Sequence, residues 1–171
     1  IEMDDILHRK IEVKIARLSF FKRIRTGARL RRHGFLRTID RNIFVFEFDG
    51  TEDEAYRIFK KAARICPEDS RIKLIDKVSK RSSGYRNKFI KACGNRGRYV
   101  CRWCRKKLKE QDMTVDHIIP VAGVQQSLEI REMLKARCDS VNDAENLCAS
   151  CYACNHDKGH KVVDDDEYSR Y

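Results

Sequence analysis

The apolar positions of the chain fall into segments with different periods. Between residue 1 and about residue 35, Ile6, Leu7, Ile11, Ile15 and Leu18 lie near one stripe at helical spacing, with lysines and arginines between them. That pattern predicts a basic amphipathic helix. Gly27 and Gly34 punctuate the stretch after it. The run IFVFEF, Ile43 to Phe48, is rich in β-branched and aromatic side chains and predicts a strand. After the turn DGT, Thr51 and Glu54 have the spacing of a capping box, which opens a helix running to about Ile65. Pro67 starts another turn, and PEDSRIKLIDKVSKR reads as a further helix. A helix is expected over Tyr85 to Cys93, ended by Gly94. MTVDHIIP then reads as a strand ending at Pro120, QQSLEIREMLKARC as an amphipathic helix, and CYAC, Cys151 to Cys154, as the lead into a short final helix.

Charge changes the picture of the partner. Among 171 residues, 37 Lys and Arg stand against 26 Asp and Glu, a formal net charge of +11. A surface this basic favours a polyanion, usually nucleic acid, because the cations displace counterions condensed on phosphates. No run of about 18 apolar residues is present, so no membrane span is expected. The chain opens IEMDDILHRK, with neither an initiator Met nor a signal peptide, and so reads as a processed product or part of something longer. Its length suits a small module with an attached lobe. The expected division is a basic lobe over 1–80, mainly helical or α+β and of unknown role, a second module over 81–163 and an acidic tail over 164–171.

Cysteine spacing brings in the chemistry. Cys101-x2-Cys104 and Cys151-x2-Cys154 are two CxxC pairs, and such pairs place thiolates around one tetrahedral ion. They predict a structural Zn²⁺ site with four thiolate ligands and, with it, an intracellular reducing compartment, organelles included. Cys148 lies close enough in CASCYAC to compete as a ligand. Cys66, Cys93 and Cys138 have no partner at ligand spacing and are expected as small buried hydrophobes. A redox role for the CxxC pairs ranks below metal binding in so basic a chain.

Four pieces now stand in order: CRWC, DHIIP, ENL and CNHDK. Together they resemble the HNH nuclease family in its cysteine-bearing subgroup, over roughly residues 85 to 160. The resemblance implies an α+β fold class, with a zinc-braced ββα-metal module of treble-clef type. It implies His117 as the base that activates water and Asn146 as the brace of the loop around it. It implies Asp116 and Asn155 as ligands of a catalytic Mg²⁺ or Mn²⁺, with His156 next door as the alternative to Asn155. Lys158 matches the lysine of the family pattern. With Arg102, Arg105, Lys106 and Lys107 it makes a set of phosphate-contacting cations. The stretch from Pro120 to Asn146 is longer than the glycine-rich loop usual in the family, so the helix there is an insertion. A regular strand sends Asp116 and His117 to opposite sides, so both reach one phosphate only through a bulge or twist.

The resemblance implies a metal-dependent endonuclease hydrolysing phosphodiester bonds in nucleic acid, DNA favoured over RNA, with one nick per active site. A double-strand break then needs a dimer or a second visit. The rival reading is an HNH-derived, zinc-containing subunit of a larger assembly, such as a ribonucleoprotein or organellar ribosome, that binds nucleic acid without cutting it.

Overall fold

The computed structural model describes residues 5–94 and 97–163. It divides into two units, Ile1–Lys77 and Val78–Tyr171. The acidic tail expected over 164–171 lies outside the described residues.

The first unit runs β1 (Leu7–Lys14), α1 (Phe20–Arg32), β2 (Leu36–Arg37), β3 (Ile43–Gly50), α2 (Glu52–Ile65) and β4 (Arg71–Ile75). Its sheet has the order β2-β3-β1-β4 with antiparallel neighbours, a split β-α-β arrangement. This overturns a mainly helical lobe. Ile11, Val13 and Ile15 are buried at alternate positions, a period of two that the helical stripe skips by leaving out Val13. Ile72 and Leu74 alternate in the same way, so the segment that reads as a helix after Pro67 contains β4 instead. The strand at IFVFEF and the helix after it appear where the local signals place them. Thr51 caps α2 by accepting from the Glu54 amide, and the Glu54 carboxylate returns to the Thr51 amide at 2.8 Å. Gly27 is required where α1 crosses β3, because a Cβ there would stand 2.9 Å from the Phe44 ring. A buried ion pair ties β1 to the end of the edge strand β4: Arg9 Nη1 lies 2.5 Å from Asp76 Oδ2, and Arg9 Nε donates to the Gly50 carbonyl at the end of β3.

The second unit begins with α3 (Tyr85–Ala92) and a hairpin of β5 (Arg98–Val100) and β6 (Lys107–Lys109). A second antiparallel pair joins β7 (Met113–His117) to β8 (Leu147–Cys151), which runs straight into α6 (Tyr152–Lys158). Between β7 and β8 the chain inserts α4 (Val121–Gln126) and α5 (Leu128–Lys135). One apolar cluster gathers Phe89, Tyr99, Trp103, Met113, Val115 and Leu147 around the two antiparallel strand pairs. A smaller one, Ile119, Val124, Leu134 and Val141, packs the insertion against the segment just after β7. Among the described residues, no helix is long and apolar enough to cross a membrane.

Candidate functional site

The first CxxC pair sits in the turn between β5 and β6. The Cys101 amide donates to the Lys106 carbonyl, the Arg105 amide to the Cys101 carbonyl, and Arg105 takes the left-handed φ of 64° that closes the loop. The second pair begins where β8 becomes α6, with the Cys151 sulfur accepting from the Cys154 amide at 3.4 Å. The Arg102 amide donates to Ala149 O at 2.9 Å, which holds the first knuckle against β8. The four sulfurs of Cys101, Cys104, Cys151 and Cys154 therefore meet, all within 4.8 Å of one another, with 3.9 Å between Cys104 and Cys151. Tetrahedral zinc with bonds of about 2.3 Å needs sulfurs about 3.8 Å apart, so the donor set fits a structural zinc ion.

Thiol acidities show the same crowding. Burial opposes ionisation of Cys101, but the amides of Cys104, Cys151 and Trp103 outweigh it and bring the thiol down to about 6. Burial and then the thiols of Cys151 and Cys104 push Cys154 well up. A cation bound among the four sulfurs would draw off the protons that burial otherwise keeps on them. Cys148 stays out of the cluster: it faces Asp116 across the β7–β8 register, and burial pushes its thiol up to about 12. Cys93, expected to be buried, is exposed.

On β7 the side chains alternate, and the two halves of the DH pair part company. Asp116 faces the knuckle and α6. Its Oδ2 accepts from Trp103 Nε1 at 3.0 Å and lies 3.2 Å from Lys158 Nζ. Lys158 also donates to the His117 carbonyl at 2.8 Å. The expectation that Lys158 meets phosphate from the surface fails: it is only 2% exposed and serves as the internal counterion of Asp116. Burial raises the Asp116 pKa against the pull of that ammonium. One turn earlier on α6, Asn155 reaches Thr114 rather than Asp116, its amide nitrogen donating to Thr114 Oγ1 at 3.1 Å. His156 points outward beside Asp157 and Tyr152. A carboxylate and an amide oxygen suit Mg²⁺ in chemistry. With Lys158 and Trp103 on Asp116 and Asn155 on Thr114, these side chains form no open divalent site.

His117 faces the other way. Its ring lies 4.8 Å from that of Tyr85, and the Arg81 guanidinium covers Tyr85 at 4.7 Å while bonding its hydroxyl. Asn142 lies beside the ring, its side chain bonded to the Ser82 amide and the Lys80 carbonyl, and His117 Nε2 is buried with no partner. Burial first, then the positive charges of Arg81 and Lys158, hold the imidazole down to about 4, so it is neutral at pH 7. Arg81, Tyr85 and Asn142 carry no signal in the sequence, since no motif surrounds them. Asn146 braces the segment after His117: its Oδ1 accepts from the Ile119 amide at 2.8 Å, and its Nδ2 donates to the carbonyls of Ile119 and Val141. The inserted helices buttress this clamp through Val141 and Ile119. Arg105, Lys106 and Lys107 are exposed beside the knuckle, and Arg102 is partly buried over Trp103.

No family model matches the chain, and no curated protein matches it.

Proposed function

We propose that the second unit is a nucleic-acid phosphodiester hydrolase of HNH type, acting on DNA and cutting one strand per copy. The observation that carries the reading is His117. A neutral imidazole that carries its hydrogen on Nδ1 presents Nε2, here without a partner, as a proton acceptor. It stands at the end of a strand whose continuation is clamped by Asn146.

In this reading Nε2 takes a proton from water, the resulting hydroxide attacks phosphorus as the bond to the 3′ oxygen breaks, and the departing 3′ oxygen takes a proton from solvent. Arg81, exposed next to Tyr85, meets the negative phosphate. Because Nε2 is covered, water reaches it when the Arg81–Tyr85 pair swings outward. Arg105, Lys106 and Lys107 supply further phosphate contacts, and the zinc thiolates hold β8 and α6 in place without reacting.

The test is relaxation of supercoiled plasmid with Mg²⁺, with Mn²⁺ and with EDTA, comparing wild type with His117→Ala. Relaxation by wild type alone supports the proposal, and equal relaxation by both removes it.

A second reading is favoured by Lys158. An Asp116 neutralised from within the chain suits a zinc-braced module that binds RNA or DNA inside a larger assembly and does not cut. Tight binding of either nucleic acid, with no relaxation under any metal, selects that reading.

A further inference from the structure

The first unit carries a groove of about 580 Å³ with one apolar and one cationic side. The apolar side is Phe46 and Phe48 of β3, whose rings meet edge to face at 5.5 Å and are only partly buried. The cationic side is α2, where Arg57, Lys60, Lys61 and Arg64 recur at helical spacing and are all exposed. Two acids also line it, but each is engaged: Glu54 holds the Thr51 amide and Asp49 meets His8 at 3.1 Å. We infer that this groove binds single-stranded nucleic acid, with an unstacked base against Phe46 and Phe48 and the flanking phosphates along α2.

Three arguments select that occupant. The volume lies in the range of small-ligand sites, roughly 300–1,000 Å³, and accepts one base rather than a duplex. The cations from Arg57 to Arg64 extend over about 10 Å of helix, more than one phosphate spans. Aromatic rings beside a line of cations are a general means of holding a strand without reading its sequence. Acids at the start of α2 and cations towards its end also suit the helix dipole, but that effect fades beyond the terminal turns and asks for no phenyl rings. The surroundings agree in sign: residues 1–77 carry 19 Lys and Arg against 13 Asp and Glu, and α1 has six cations and no acid. The inference holds whether or not the second unit cuts, since a binding module would use the same groove.

The experiment uses the full chain in a buffer that leaves zinc bound and contains no Mg²⁺ or Mn²⁺, so that binding is read apart from cleavage. Labelled oligo(dT), a duplex of equal length and heparin are titrated against wild type, Phe48→Leu and the double variant Arg57→Gln/Lys61→Gln. Phe48→Leu is expected to weaken oligo(dT) binding about fivefold or more while duplex and heparin affinities hold. The double variant is expected to flatten the salt dependence for the single strand by about 0.7 in log–log slope for each phosphate no longer neutralised. Photo-crosslinking of wild type to an iodouracil-substituted strand keeps the test open if Phe48→Leu folds poorly; adducts are expected on Phe46 or Phe48. Equal weakening of all three ligands, an unchanged slope in the double variant, or adducts confined to residues outside the groove would each overturn the inference.

Discussion

The two units bury their sheets by different means. In Ile1–Lys77 the central strand β1 has eight residues, and alternate side chains of β1, β3 and β4 pack under two helices. Apolar area suffices there, and among the described residues Arg9 and Asp76 are the charged pair it buries. In Val78–Tyr171 the strands have three or five residues. Strand pairs so short cover little surface, and four sulfurs around one point compensate. Once a metal fixes the backbone, the neighbouring interior can hold polar groups. Asp116, His117, Asn146 and Lys158 are each 7% exposed or less.

The largest break in this contrast comes from removing zinc. Chelation, or Cys154→Ser, forfeits metal-binding free energy on the order of 10 kcal/mol. Amides of β7 and β8 are expected to lose hydrogen-exchange protection while those of β1 and β3 keep it. Joint loss would show that the two units do not stand on separate supports. Next comes Lys158→Met, which strands a buried carboxylate and costs about 3–5 kcal/mol. Urea unfolding followed through Trp103, the single tryptophan, measures it, and adding Asp116→Asn should restore most of the loss. The same Lys158→Met variant is expected to bind Mn²⁺ more tightly than wild type if Lys158 holds a position that a divalent ion would claim. Leu74→Ala, fully buried under the first unit's helices, should cost about 2–5 kcal/mol there and leave the Trp103 transition where it was.

The smallest effect is a pH dependence. His117 is held down to about 4 when folded and titrates at about 6.5 in the unfolded chain. The unfolded state therefore binds the extra proton first. The histidine's contribution is intact above pH 6.5 and declines as pH falls towards 4, by up to about 3 kcal/mol. Comparing wild type with His117→Gln over that range isolates the histidine, since thiolate protonation is common to both. Equal slopes would remove the buried neutral imidazole.

Local chemistry is legible in the sequence. The Thr51–Glu54 capping box, the strand through Phe44 and the spacing of the four cysteines act over a few residues or through one ion. Asn146 bonds the backbone at Ile119 and Val141. The remainder depends on which surfaces pack together. β1 looks helical because Ile11 and Ile15 fit either period, and a covering helix, not the strand itself, decides for two. Lys158 sits among exposed residues in sequence, and only the approach of α6 to β7 takes it inside. Arg81, Tyr85 and Asn142 meet His117 through tertiary structure alone.

β2 meets β3 only at Val45 and Phe44, so no strand among the described residues covers the outer backbone from Phe46 to Gly50. Such a border is where a second molecule can add itself and begin a fibril. Glu47 and Asp49, both exposed on that stretch, set like charges against any copy that approaches. Their acidity in an otherwise basic chain thus acts as a guard on solubility, one that neutral replacements at both positions would lift.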